Sequence, residues 1–217
     1  IGGGTGTVIR GGLQVNITSG ASFEGFTVTG GQGINLMGGT VRDCTISSNY
    51  INSSSYGGGV TMTGGLVERC LIQYNQVFAN YNACSYGGGL WMSGGTARDC
   101  TINSNWASAS STYAGSGYGG GIYMTGGLVD RCRIMGNRTE SSYGLAYGYG
   151  GGVYMTGGTL RNALVVSNSG PSYAGGICIN GAGARVQNAT VAFNTTLMAN
   201  SGGVRLLGGT MSNSIVY

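Results

Sequence analysis

The chain has no lysine and no histidine, a single proline (Pro171) and only six acidic residues among 217. Without histidine, the usual general base near neutral pH and the commonest metal ligand are both missing. Without lysine, the glycine-rich stretches cannot complete a phosphate-binding loop, which also needs a helix after the glycines. Charged residues amount to 7%, and ten dispersed arginines with a net charge of +4 make no basic stripe for nucleic acid. No apolar run approaches the ~20 residues a membrane-spanning helix needs. Direct membrane insertion, nucleic-acid binding and a bound cofactor or metal are therefore not expected. No signal peptide is visible and the first residue is Ile1, so a processed form or a segment of something longer is expected.

What the chain has instead is glycine, 47 residues of it, at fixed places in a recurring phrase. The phrase reads YGGGVTMTGGLVERCLIQYN from Tyr56, YGGGLWMSGGTARDCTINSN from Tyr86, YGGGIYMTGGLVDRCRIMGN from Tyr118 and YGGGVYMTGGTLRNALVVSN from Tyr149. Weaker copies begin near Val15, Gly33, Tyr173 and Ser201. Self-similarity at this spacing means one supersecondary unit stacked on itself. The copies cover nearly the whole chain, so residues 1–217 are read as one continuous domain.

Within each copy the first apolar residues are Val15, Ile34, Val60, Leu90, Ile122, Val153, Ile177 and Val204. Two places on stand Ile17, Leu36, Met62, Met92, Met124, Met155, Ile179 and Leu206, with mixed residues between. That alternation is a half-buried strand. After a glycine bend and a charged bend comes a second strand, with Cys44, Cys70, Cys100 and Cys132 inward and Ile46, Ile72, Ile102 and Ile134 two places later. Two strands per repeat, similar in phase, can only lie over their counterparts in the next repeat. The predicted fold is all-β: a single-stranded parallel β-helix of about eight coils. At ~4.8 Å per coil, its length is about 35–40 Å.

Three columns test that stacking. Asn49, Asn75, Asn105, Asn137, Asn168 and Asn194 share one phase, which predicts a buried amide ladder rather than scattered turn residues. The charged bend reads Arg42, Glu68, Arg98, Asp130, Arg161 at its first position and Asp43, Arg69, Asp99, Arg131, Asn162 at its second. The sign alternates along both columns, which favours one register over a slipped one. The Cys44, Cys70, Cys100 and Cys132 column is expected to hold buried free thiols, its place taken later by Ala163 and Ala189. Cys84 in a loop and Cys178, facing outward on the first strand, lie several coils apart; each is expected to be a lone thiol, the alternative being a bridge to another chain.

Catalytic residues are not apparent. Glycoside hydrolysis needs two carboxylates at a defined separation, yet the outward positions of the first strand carry no acid. The carboxylates lie instead beside arginines, which lower their pKa values. The surface candidates are aromatic: a column Tyr56, Tyr86, Tyr118, Tyr149 and Tyr173, and an adjacent column Trp91, Tyr123 and Tyr154. These rings either present a face to a sugar or protein, or stack on one another and cover the glycines. Connections of variable Ser, Asn, Ala and Tyr content are a second place for recognition. A third reading, ice binding, needs a flat threonine array. The outward column Thr45, Leu71, Thr101, Arg133, Leu164, Thr190 is interrupted.

The opening FEGFTVTGGQGINLMGGTVRDCTISSN, and the alternation of GGV with IQYN or GGI with VAFN, resemble right-handed parallel β-helix repeat proteins of bacterial surfaces and secretions. The phrase is similar to repeats of chlamydial polymorphic outer-membrane proteins and autotransporter passengers. That resemblance implies right-handed coiling and an extracellular or cell-surface location, with a structural or adhesive, non-enzymatic role as a stalk, adhesin-like segment or filament subunit. The alternative is a carbohydrate-binding or polysaccharide-processing β-helix. The end sequences offer apolar strands without a polar cap. Other subunits or flanking sequence are therefore expected to cover them, with glycans as further partners.

Overall fold

The computed structural model describes residues 6–12, 14–52, 56–80, 83–110, 115–141, 147–197 and 201–217. Parts of the variable connections, residues 53–55, 81–82 and 111–114, lie outside them. All 34 strands belong to parallel sheets whose neighbours are successive coils, so the chain is a parallel β-helix.

In each coil the chain visits the sheets in the same order. The first sheet has eight strands, from Val15–Ile17 to Val204–Leu206. The second also has eight, from Ser22–Glu24 to Thr210–Ser212, and the third has nine, from Val8–Arg10 to Ile215–Val216. A fourth sheet of six strands runs from Tyr50–Asn52 to Thr195–Thr196. A small fifth contains Ser85–Tyr86, Gly117–Tyr118 and Gly148–Tyr149. The pairings match the sequence phase residue for residue, for example Leu90 with Ile122 and Ile72 with Ile102.

The expectation of two strands per coil is corrected to three, with a fourth and fifth in the longer coils. Segments such as Thr40–Arg42, read from sequence as a bend, are three-residue strands with one inward apolar residue, here Val41, between outward neighbours. One inward residue gives too short a period to read from sequence. It suffices once the coils on both sides supply the hydrogen bonds.

Corners turn through left-handed backbone. Between the second and third sheets Asp43, Arg69, Asp99, Arg131 and Asn162 have φ of 49–55°. Before each ladder asparagine, Ser48, Tyr74, Ser104, Gly136, Ser167 and Phe193 have φ of 52–63°. The corner from first to second sheet demands glycine: Gly127 has φ +80°, and a Cβ there would fall 2.6 Å from Met92 Cε of the coil before. Met62, Met92, Met124 and Met155 are fully buried in the single core running along the rod. Each such side chain contributes about 1.5–3 kcal/mol through burial.

Candidate functional site

The amide ladder is continuous. Nδ2 of Asn75 donates to Asn105 Oδ1 at 3.0 Å and to the Ile46 carbonyl at 2.9 Å, while the Asn75 backbone N–H donates to the same Oδ1 at 3.0 Å. Asn105, Asn137 and Asn168 repeat the arrangement, and Asn194 receives the last pair of bonds. At the other end Asn49 donates to Asn75 and accepts from the Gly31 N–H at 3.1 Å. All six amides are buried, so the N-x-[ST] sequences at Asn137 and Asn194 offer no accessible side chain.

The thiol column is also as expected. Cys44, Cys70, Cys100 and Cys132 are buried and free. Each Sγ lies 3.1–3.4 Å from the carbonyl two residues earlier, a weak bond that holds the left-handed corner. Ser214 reproduces it with a hydroxyl, donating to the Ser212 carbonyl at 2.8 Å. The neighbouring Cys100 thiol and burial push Cys70 up to about 12, whereas the bond with Cys100 lowers Cys132; all four are closed to solvent. Cys178 corrects the expectation of a surface thiol. It occupies an outward strand position, yet is fully buried with Ala174 and Tyr154 beneath the aromatic column. Burial raises it to about 11.

The charged corner forms two similar quartets. Arg69 makes a bidentate contact with Asp43 (2.7 and 2.8 Å) and reaches Glu68 at 2.9 Å, while Arg98 closes on Glu68 at 2.5 Å. Two coils on, Arg131 grips Asp99 at 2.8 and 2.9 Å and Asp130 at 2.7 Å, and Arg161 closes on Asp130 at 3.1 Å. The Arg69 and Arg131 bonds hold Asp43 and Asp99 below the ordinary carboxylate range. For Asp130 burial pushes upward, but bonds from Arg161 and Asn162 outweigh it and the pKa is lowered. The three aspartates are thus held in their charged form by the groups beside them.

The aromatic candidates come together as two interlocked columns. Tyr86, Tyr118, Tyr149 and Tyr173 stack face to face with centroids 5.0–5.3 Å apart, and Tyr123 stacks on Tyr154 at 5.4 Å. Rings of the two columns meet edge to face, as in Tyr86–Tyr123 and Tyr118–Tyr154. Tyr56 packs on Tyr86 and Trp91, and Arg205 lies 3.8 Å over Tyr173 at the far end. Of the two sequence readings, mutual stacking describes the geometry. Tyr154 is buried, the Trp91 indole N–H is shielded from solvent, and burial raises Tyr118 to about 12. Only Tyr56, 49% exposed, offers a substantial open surface.

One hollow was not apparent from sequence. At the corner between the third and fourth sheets, a groove of about 370 Å³ is lined by Tyr74, Gln76, Ser104, Trp106, Gly136 and Arg138. The available signal was the residue before each ladder asparagine: Ser48, Tyr74, Ser104, Ser167 and Phe193 carry side chains, whereas Gly136 carries none. Among the described residues no group of three His, Cys, Asp or Glu side chains is placed to hold a metal ion. No protein-family model, curated protein or solved structure matches the chain.

Proposed function

We propose that this chain is a non-enzymatic structural rod: a stalk, adhesin-like segment or filament subunit of an extracellular or cell-surface assembly. The observation that carries this reading is where the polar chemistry goes. Six buried amides form one column from coil to coil, five of the six acidic residues pair with arginines of the next coil, and four buried thiols close their own corners. Such columns stiffen the stack and commit these acids to arginine partners. The surface location rests on the resemblance in sequence cadence, which implies nothing finer about the partner.

The last coil exposes Leu206, Ile215, Val216 and Tyr217 by about half or more. Unpaired strand edges with apolar side chains recruit further strands. In this reading another subunit or adjoining coils cover that end. Sedimentation of the 217-residue chain across a hundredfold dilution tests it: self-association is expected, and a stable monomer throughout refutes the covered end.

A further inference from the structure

The rod reading leaves unexplained the corner groove at Trp106. Arg138 sits with its guanidinium 3.9 Å over the Trp106 ring. The indole N–H is turned away from solvent, so the ring acts as a shelf that fixes the cation and not as a donor. No carboxylate among the described residues lies within ion-pair distance of Arg138. Glu140, two residues on along the same strand, shares the adjoining hollow with Arg138 but makes no ion pair with it. A guanidinium fork shelved on an indole and without a direct carboxylate partner is suited to a planar or tetrahedral oxyanion.

The rest of the groove suits a sugar ring. Tyr74 is 58% exposed and presents an apolar face at one end. The Gln76 amide and the Ser104 hydroxyl, which donates to Asn103 Oδ1 at 3.0 Å and keeps its lone pairs free, line the wall. Gly136 makes the room, because every other residue before a ladder asparagine carries a side chain at this corner. Coils repeat at ~4.8 Å, so successive polar groups along the sheet can meet successive units of an extended chain.

We propose that this corner is a binding subsite for an anionic sugar residue, carboxylate-bearing or sulfated, within a linear glycan. It extends the adhesive rod reading by naming a ligand, and it rests on that reading only for its biological use. Sedimentation tests the rod and sugar binding tests the site, so the two can fail separately.

The test is calorimetric titration of the 217-residue protein with an oligogalacturonate, a sulfated galactan oligomer and a neutral galactan oligomer. Binding of at least one anionic oligomer, and not the neutral one, is expected; which of the two binds distinguishes carboxylate from sulfate. Arg138→Gln and Gly136→Ser should each weaken it at least tenfold. Serine already occupies the matching left-handed corner at Ser48, Ser104 and Ser167, so the second variant keeps the fold. Arg133→Gln removes an exposed arginine from the neighbouring third sheet and should change nothing. Absence of binding by both anionic oligomers overturns the site. So does equal binding of the neutral one, equal loss in the Arg133 and Arg138 variants, or full binding by Gly136→Ser.

Discussion

Replacing Asn105 with alanine removes the middle rung of the amide ladder, and the structure states what is left behind. Asn105 Oδ1 accepts the Asn75 backbone N–H and one Asn75 Nδ2 proton, both at 3.0 Å. Its own Nδ2 donates to Ile72 O at 2.9 Å and Asn137 Oδ1 at 3.0 Å. The truncation therefore orphans two donors in a region closed to water, since Asn75 is 1% exposed. A buried unsatisfied group costs about 1–3 kcal/mol, so the loss comes to roughly 2–6 kcal/mol. That is a large fraction of the 5–15 kcal/mol of an ordinary domain.

Asn49→Ala provides the internal comparison. Its Oδ1 accepts only the part-buried Gly31 N–H, so a single donor is orphaned and the loss is about 1–3 kcal/mol. Chemical denaturation of both variants measures the difference, and amide exchange at Asn75 reads the orphaned N–H directly. Stacked coils need not unfold in one step, so the exchange measurement carries the more local information. If Asn105→Ala is no more destabilising than Asn49→Ala, and Asn75 remains as protected as in the parent, the ladder does not hold the coils together.

The remaining predictions concern the other columns. Stability should fall as pH drops through the depressed folded pKa values of Asp43 and Asp99, because the unfolded chain takes up protons first. It should be level from about pH 5 to 7.5, where there is no histidine to titrate; an acid midpoint near neutrality contradicts this. Asp130→Asn, which disturbs a 4%-exposed carboxylate with three partners, should cost about 1–3 kcal/mol, whereas Glu24→Gln, whose contact is 3.8 Å and exposed, should cost less than about 0.5 kcal/mol by thermal unfolding. A thiol reagent at pH 8 should modify Cys84 quickly and the five buried cysteines only on unfolding; fast reaction of a second thiol refutes their burial. Gly127→Ala should lose more than about 2 kcal/mol by denaturation, because left-handed backbone and the Met92 methyl both oppose a Cβ, while Gly183→Ala, with open space around it, should be neutral.

The columns were legible in the sequence because each rests on identity at one phase: asparagine at the ladder, cysteine at the thiol corner, alternating sign at the charged corner. Strand count was less legible. A strand whose only inward residue is Val41 or Val67 leaves no periodicity to detect, and it exists because neighbouring coils pair with it. Cys178 was placed on the correct strand face but not recognised as buried. Its cover comes from tyrosines of other coils, which a strand pattern does not contain. The Trp106–Arg138 groove escaped for the opposite reason. Its defining feature is one missing side chain, at Gly136, and a single departure from a repeat is seen as important only once the corner is built.

The columns also divide the labour of folding. Asparagine faces asparagine and cysteine faces cysteine in each successive coil, so these ladders reward stacking without distinguishing which coil lies next. The charged corner does distinguish. Glu68 and Arg69 lie between Arg42–Asp43 and Arg98–Asp99, each facing its opposite. If the chain skipped a coil, Glu68 would meet Asp130 and Arg69 would meet Arg131, like on like. Each exposed pair is worth only ~0–1 kcal/mol, but attraction would turn to repulsion at several positions together. Uniform ladders hold the rod together, and a weak alternating pattern selects its order.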